Sequence, residues 1–193
     1  SPRLKGPRRM TDLHPATTVE ADCCIVGGGP AGMMAGLLFA RAGVRTVVLE
    51  KHADFLRDFR GDTVHPSTLE VMHELGLLES FLKRPHQKLT RMVAEFGTER
   101  VEIANFQGVP ARCPFIAFMP QWEFLNFVAE NAVRYPNFRL MMRTEATGPI
   151  ESEGRTQGVR ATGPEGAVEV KARLTVAADG RRDVLVDALE RGA

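Results

Sequence analysis

Two apolar runs near the start of the chain flank a glycine-rich turn. The first run closes the segment 19–26, and the second covers residues 44–49. A continuous apolar run such as the first is typical of a strand that is buried on both faces of a parallel sheet, and residues 44–49 predict a second apolar strand. Residues 33–42 between them predict a helix, for which Gly43 supplies the C-terminal stop. The order strand, helix, strand therefore predicts a βαβ unit.

The rest of the chain alternates between short helices and short strands. Residues 51–64 are polar and rich in arginine and aspartate, and they predict a loop. Apolar and polar positions alternate around the glycines of residues 144–173, as in a small antiparallel meander. The further predicted elements are helices over 66–75, 77–82 and 121–134 and strands over 91–96, 100–103, 115–119, 138–142 and 174–178, the last of them buried. The predicted fold class is α/β, with a parallel sheet, an antiparallel β-meander and covering helices.

The composition is that of an ordinary globular chain. Of 193 residues, 44% are hydrophobic, and 25 Lys and Arg against 24 Asp and Glu leave a net charge of +1. The hydrophobic share excludes a disordered chain, and the charge balance gives no electrostatic footprint for nucleic acid. The apolar runs are far shorter than the roughly 20 residues of a membrane span. We therefore expect neither nucleic acid nor a membrane as a partner.

The cysteines and histidines show no metal-ligand spacing and no catalytic pair. Cys23 and Cys24 are adjacent, which suits a disulfide poorly, and Cys113 is remote in sequence. Reduced thiols predict a cytoplasmic protein. His65 precedes Pro66 at a predicted helix start, which favours a structural role. No pairing or ligand spacing is found for His14, His52, His73 and His86.

The strongest chemical signal is the spacing of Gly27, Gly29 and Gly32 directly after the first predicted strand. In this spacing the first glycine permits the turn out of the strand, and the second lets the backbone approach a pyrophosphate. The third lets the helix pack against the strand, and the helix N-terminus offers N–H groups to the phosphates. Glu50 ends the second strand, where a carboxylate can accept hydrogen bonds from both hydroxyls of an adenosine ribose. These residues predict an adenine dinucleotide site and leave FAD and NAD open.

Two further segments carry a resemblance to a known family. Residues 60–67 read Arg-Gly-Asp-Thr-Val-His-Pro-Ser, and residues 177–182 read Ala-Ala-Asp-Gly-Arg-Arg. With the glycine turn and the helix that starts at Gln121, they resemble the FAD-dependent aromatic hydroxylases, which are para-hydroxybenzoate-hydroxylase-like single-component flavin monooxygenases. The resemblance covers residues 19–182 and implies a Rossmann-like FAD-binding domain.

The resemblance also implies a cofactor site. Arg60 matches the family arginine that contacts the FAD pyrophosphate, and Gln121 matches a residue near the ribityl chain and phosphates. Asp179 matches the aspartate of the family's Asp-Gly motif, which helps to hold FAD and is tied to the use of a nicotinamide nucleotide. No residue is expected to act as a side-chain nucleophile, and no catalytic residue is assigned. The expected cofactor-binding residues are Gly27, Gly29, Pro30, Ala31, Gly32, Glu50, Lys51, Arg60, Gln121, Asp179 and Gly180.

The activity that the resemblance implies is hydroxylation of an aromatic or related cyclic substrate. NADH or NADPH would reduce FAD, and O₂ would supply the oxygen atom. Two alternatives stay open. One is another FAD-dependent oxidoreductase or reductase on the same fold, such as a flavin halogenase or an isoprenoid reductase. The other is a non-enzymatic nucleotide-binding module.

Both ends of the chain lie outside the residues that carry the resemblance. Residues 1–18 are basic and contain prolines, and we interpret them as a leader or flexible arm, with a nucleic-acid-binding arm as the alternative. After the Asp-Gly motif, Asp183 and Val186 stand where the family has serine and arginine, so residues 183–193 are a diverging tail. The pattern of the family's substrate domain is missing, and residues 19–182 are expected to be the FAD-binding half. The sheet edge left exposed predicts a homodimer or pairing with another chain.

Overall fold

The computed structural model describes residues 17–56 and 62–180. The chain forms two compact units. The first unit contains residues 17–53 and 132–180, and the second contains residues 54–56 and 62–131. None of the described helices has the length and apolar character needed to cross a membrane.

The helices and strands of the described residues are numbered in chain order. The helices are α1 (Pro30–Arg41), α2 (Pro66–Glu74), α3 (Leu78–Phe81) and α4 (Gln121–Ala132). The strands are β1 (Thr17–Val26), β2 (Thr46–Leu49), β3 (Thr63–Val64), β4 (Gln87–Leu89), β5 (Arg91–Phe96), β6 (Glu99–Asn105), β7 (Ile116–Phe118), β8 (Phe138–Met141), β9 (Glu145–Ser152), β10 (Arg155–Gly163) and β11 (Gly166–Ala177). The predicted βαβ unit is confirmed as β1-α1-β2, and α1 begins at Pro30 rather than at residue 33 because proline is well suited to the first turn of a helix.

Six strands of the first unit form one sheet in the order β8-β2-β1-β11-β10-β9. The strands β8, β2, β1 and β11 run parallel, whereas β11, β10 and β9 form an antiparallel meander. The strand β11 belongs to both parts, since Val170 lies opposite Val19 of β1 and opposite Val159 of β10. The predicted α/β class with a parallel sheet and a β-meander is therefore confirmed.

The prediction of a separate buried strand over residues 174–178 is wrong. Residues Gly166–Ala177 form one strand, which continues from the meander into the parallel part of the sheet. Its pairing with β10 ends at Lys171, opposite Gly158, while its pairing with β1 continues. Leu174 lies beyond this point and is 48% exposed. Charged and apolar residues alternate along β11 because successive side chains of a strand point to opposite faces of the sheet. The alternation therefore does not mark a break between two strands.

Part of the core of the first unit lies between the sheet and α1, and a separate cluster of buried residues from the sheet strands contains no residue of α1. Ile25 of β1 and Val48 of β2 are fully buried. A Cβ on Gly36 of α1 would lie 2.8 Å from Val48 Cγ2 and 2.9 Å from a ring carbon of Phe138. Glycine at this position therefore allows the helix to pack directly on the sheet, which fixes the N-terminus of α1 relative to the ends of the strands.

The second unit combines helices with a small antiparallel sheet in the order β3-β7-β4. The ring of Phe81 is fully buried and packs edge-on against Phe124 and Phe127, with centroid distances of 6.0 Å and 5.0 Å. The strands β5 and β6 pair only with each other among the described residues and form the β5–β6 ribbon. The strand β3 lies inside the predicted loop, and β4 was not predicted, because strands of two or three residues show no periodicity.

Candidate nucleotide site

The turn between β1 and α1 joins three segments of the first unit. Gly27 donates its N–H to the carbonyl of Leu49 (2.9 Å), and Ala178 donates its N–H to the carbonyl of Val26 (2.7 Å). Gly27 has a φ of +109°, and a Cβ there would come within 2.4 Å of the Ala178 oxygen. A Cβ on Gly32 would lie 1.9 Å from the Gly27 oxygen. Both positions therefore require glycine, for the turn and for the close helix contact respectively.

The N-terminus of α1 lies beside this turn, next to space that no described atom occupies. Gly29 is the N-cap residue, Pro30 lies in the first turn, and the described residues contribute no side-chain cap to this helix. A Cβ on Gly29 would meet no described atom within 4 Å. The first N–H groups of a helix have no carbonyl partner inside it, and the dipole adds positive potential there. This end of α1 therefore has the properties that bind an anionic group such as a phosphate.

The carboxylate of Glu50 contacts the same turn. Glu50 is only 3% exposed. Its Oε2 accepts the N–H of Gly28 (2.9 Å), and its Oε1 accepts the N–H of His52 (2.9 Å) and lies 2.5 Å from His52 Nδ1. The backbone of Glu50 is held as well, because its N–H donates to Met141 and its carbonyl accepts from Thr144, each at 2.9 Å. The carboxylate thus lies beside the glycine turn with its orientation fixed.

His52 is a residue of this site that the sequence pattern did not identify. The expectation that it is unpaired is wrong, since its Nδ1 reaches the buried carboxylate while its side chain is 44% exposed. A histidine two residues after an acidic strand end is the available signal. This signal identifies a contact only because the chain turns after β2, which brings both the N–H and the ring of His52 to the Glu50 carboxylate.

The Asp-Gly motif also reaches the glycine turn. The backbone nitrogen of Asp179 would lie 2.7 Å from a Cβ on Gly27, which places the start of the motif against that residue. Gly180 has a φ of +89°, a conformation that favours glycine. Lys51, next to Glu50 in sequence, and Ala31, in the first turn of α1, are both exposed. The first unit therefore brings together the turn, Glu50 and Asp179.

Three expected features are not among the described residues of the first unit. Gln121 is the first residue of α4 in the second unit and is half-buried. Arg60, predicted to contact the pyrophosphate, lies outside the described residues, as do Asp183 and Val186 of the diverging tail. The geometry of the candidate site is accordingly that of the first unit alone.

The cysteines provide no nucleophile for this site. All three are free and buried. Burial raises the pKa of Cys24 to about 12, with a smaller contribution from Cys23. Burial also raises the pKa of Cys23 and of Cys113. The thiols therefore stay protonated at neutral pH and serve as core side chains.

The donors and acceptors of the first unit fit part of a dinucleotide. The helix N-terminus supplies donors for phosphate, and the open space at Gly29 leaves room for it. The Glu50 carboxylate attracts hydroxyl donors and repels further negative charge. The residues present are therefore matched to a pyrophosphate and an adenosine ribose.

Comparison with known proteins gives the family and the fold. Residues 20–191 match the family described as FAD binding domain. The chain is 30% identical over 168 residues to 6-methylpretetramide 4-monooxygenase of Streptomyces rimosus, which covers 86% of this chain and 40% of the relative. The structure of OxyS anhydrotetracycline hydroxylase from Streptomyces rimosus is similar with a TM-score of 0.75 at 29% identity, covering 89% of this chain and 34% of that chain. The myxobacterial chondrochloren halogenase CndH is similar in fold, with a TM-score of 0.77 at 23% identity over 88% of this chain and 39% of that chain.

The chain spans less than half the length of each of these three proteins. A hydroxylase and a halogenase share the fold, so the fold alone does not separate their reactions. The family match takes in the glycine turn, Glu50 and the Asp-Gly motif. The chain therefore belongs to the FAD binding domain family.

Proposed function

We propose that the chain is the FAD-binding part of a monooxygenase that hydroxylates an aromatic or related cyclic compound. The observation that carries the proposal is the glycine turn with the Glu50 carboxylate bonded to Gly28, in a chain of the FAD binding domain family. The relative at 30% identity is named a monooxygenase, and the structure at 29% identity is named a hydroxylase. Because the chain spans 40% and 34% of those two proteins, the reaction and its substrate class are inferred from their names.

In this proposal, each part of the cofactor meets a chemically matched part of the first unit. The pyrophosphate binds at the N-terminus of α1, where Gly29 leaves space and the N–H groups donate. Glu50 accepts hydrogen bonds from the adenosine ribose hydroxyls. Asp179 and Gly180 help to hold the cofactor at the end of β11.

The remaining assignments follow from the family resemblance. Arg60 contacts the pyrophosphate, and Gln121 lies near the ribityl chain and phosphates. Lys51, Pro30 and Ala31 complete the set of cofactor-binding residues. When bound, FAD supplies the redox chemistry, with NADH or NADPH as the electron source and O₂ as the oxygen source. The residues of this chain bind and orient the cofactor.

Location and self-association are part of the same proposal. The three buried free cysteines support a cytoplasmic protein. The strands β8 and β9 end the six-stranded sheet within the described residues, and a sheet edge can pair with a second copy of the chain. We therefore propose a cytoplasmic enzyme that forms a homodimer.

A halogenating FAD enzyme is the second candidate. The halogenase CndH has the same fold, with a TM-score of 0.77. Identity there is 23%, a level at which the likeness concerns the fold alone. The higher identity to 6-methylpretetramide 4-monooxygenase favours oxygen transfer. A nucleotide-binding module without activity is the third candidate.

Titration with FAD tests the proposal first. Saturable quenching of flavin fluorescence is expected, with FMN binding far more weakly because it lacks the adenosine half that Glu50 and the turn would hold. A chain that binds neither flavin contradicts the proposal. A second experiment separates the candidates. It uses the FAD complex of a full-length homologous protein that contains this domain, which is incubated with NADPH or NADH, O₂, chloride and a panel of phenols. Mass spectrometry would detect a hydroxylated product, a chlorinated product or none.

A further inference from the structure

The contact between His52 and Glu50 has two parts that converge on one oxygen. The backbone N–H of His52 donates to Oε1 at 2.9 Å, and Nδ1 of its ring lies 2.5 Å from the same oxygen. The other oxygen, Oε2, accepts the N–H of Gly28 at 2.9 Å. The glycine turn therefore holds one side of the carboxylate, and His52 holds the other.

Burial explains why the carboxylate benefits from a side-chain donor. Glu50 is 3% exposed, whereas the His52 side chain is 44% exposed. A buried carboxylate is costly unless hydrogen bonds replace the lost water. A carboxylate oxygen can only accept, so the shared proton belongs to Nδ1 of the imidazole. The ring thus brings a donor from the solvent side to a group that solvent hardly reaches.

We propose that His52 is a positioning residue of the nucleotide site, which orients the Glu50 carboxylate for the ribose hydroxyls of the cofactor. The inference rests on the proposed function and adds a residue outside the glycine and Asp-Gly motifs. Without the ring, Oε1 of Glu50 loses the contact at 2.5 Å, and the terminal torsion of a glutamate is soft. Loss of the preset orientation lowers affinity, because ordering the carboxylate then accompanies binding.

The same contact sharpens selectivity between nucleotides. A carboxylate fixed beside the ribose accepts a 2′-hydroxyl and repels a 2′-phosphate. A carboxylate that can swing aside accepts the hydroxyl less well and repels the phosphate less strongly. Removal of the ring should therefore reduce the preference for ADP over 2′-phosphorylated ADP, and a purely structural role of His52 would lower both affinities equally.

Two substitutions of His52 separate the donor from the bulk of the ring. His52→Leu keeps an apolar side chain of similar size without a donor, whereas the amide nitrogen of His52→Asn can take the place of Nδ1. We expect His52→Leu to weaken FAD binding on the order of ten-fold, as for one hydrogen bond to a charged group. His52→Asn should recover most of that affinity. His73→Leu, at an exposed position of α2, is the control and should bind FAD as the wild type does.

The measurements are fluorescence titration with FAD, competition by ADP and by 2′-phosphorylated ADP, and thermal unfolding of each variant. Weaker binding and reduced ADP preference in His52→Leu, with recovery in His52→Asn, support the positioning role. Equal FAD affinity in wild type and His52→Leu overturns it while the proposed function stands. Equal losses in both variants, or equal losses for both competitors, also overturn it. A wild type that does not bind FAD overturns the proposed function and this inference together.

Discussion

The strands beside the glycine turn of the first unit and the β5–β6 ribbon of the second unit lie at opposite extremes of burial. Beside the turn, Ile25, Val48 and Glu50 are each at most 3% exposed. On the ribbon, Phe96 and Ile103 are 67% and 58% exposed. A two-stranded ribbon is marginally stable by itself, whereas dense burial resists local opening. The contrast indicates that the nucleotide site depends on close packing and that the ribbon sequence can change with little effect on it.

Substitution within the turn should give the largest loss of stability. Gly32→Ala would place a Cβ 1.9 Å from the Gly27 oxygen, and a backbone atom cannot move aside without shifting the helix. We expect a loss of about 3 kcal/mol in the free energy of unfolding, measured by urea denaturation. Gly108→Ala is the control, since a Cβ there meets no described atom within 4 Å. Equal stability of the two variants would show that the turn is looser than described.

Matched valines test the burial contrast directly. Val48 is fully buried in β2, whereas Val101 of the ribbon is 45% exposed. Val48→Ala should lower the free energy of unfolding by roughly 2 kcal/mol through lost burial and a cavity, and Val101→Ala by less than about 0.5 kcal/mol. Urea denaturation of both variants measures the difference. A larger loss for Val101→Ala would mean that the ribbon, and not the sheet, carries the stability.

The smallest effect is expected at an exposed ion pair in the first unit. Asp22 accepts hydrogen bonds from the Arg45 side chain at 2.8 Å and 3.0 Å. The hydrogen bond to Arg45 lowers the pKa of Asp22, against an opposing effect of desolvation. Because the folded-state pKa lies below the unfolded one, the stabilisation is present above about pH 4 and is lost as the pH falls through the folded-state pKa.

Thermal unfolding of Asp22→Asn against wild type measures this pair. The wild type should melt slightly higher at neutral pH, and the difference should shrink as the pH is lowered below about 4. Added salt should also reduce the difference at neutral pH, since the pair is exposed to solvent. A difference that grows on acidification would assign the effect to another group.

The sequence predicts the parts of the site that depend on local spacing. The three glycines, the helix after them and Glu50 at the end of β2 follow from short-range patterns, and the parallel sheet then brings Glu50 beside the turn. The bond between His52 and Glu50 was missed, because it depends on how the chain turns after the strand. The sequence pattern divides the continuous strand β11 in two for a related reason. Beyond Lys171 the strand pairs with β1 alone, and an amino-acid pattern does not show how many neighbouring strands a segment has.

The substitution Gly29→Val tests most directly whether the glycine turn binds the cofactor. Gly29 has a φ of −73° and a ψ of −178°, which suit a residue before proline, and a Cβ there meets no described atom within 4 Å. The free energy of unfolding should therefore fall by no more than about 1 kcal/mol, the scale of an N-cap change. The added side chain would occupy the space that the proposal gives to the pyrophosphate. We predict a folded variant whose titration with FAD shows no saturable fluorescence quenching, and a folded variant that binds FAD as tightly as the wild type would contradict the account.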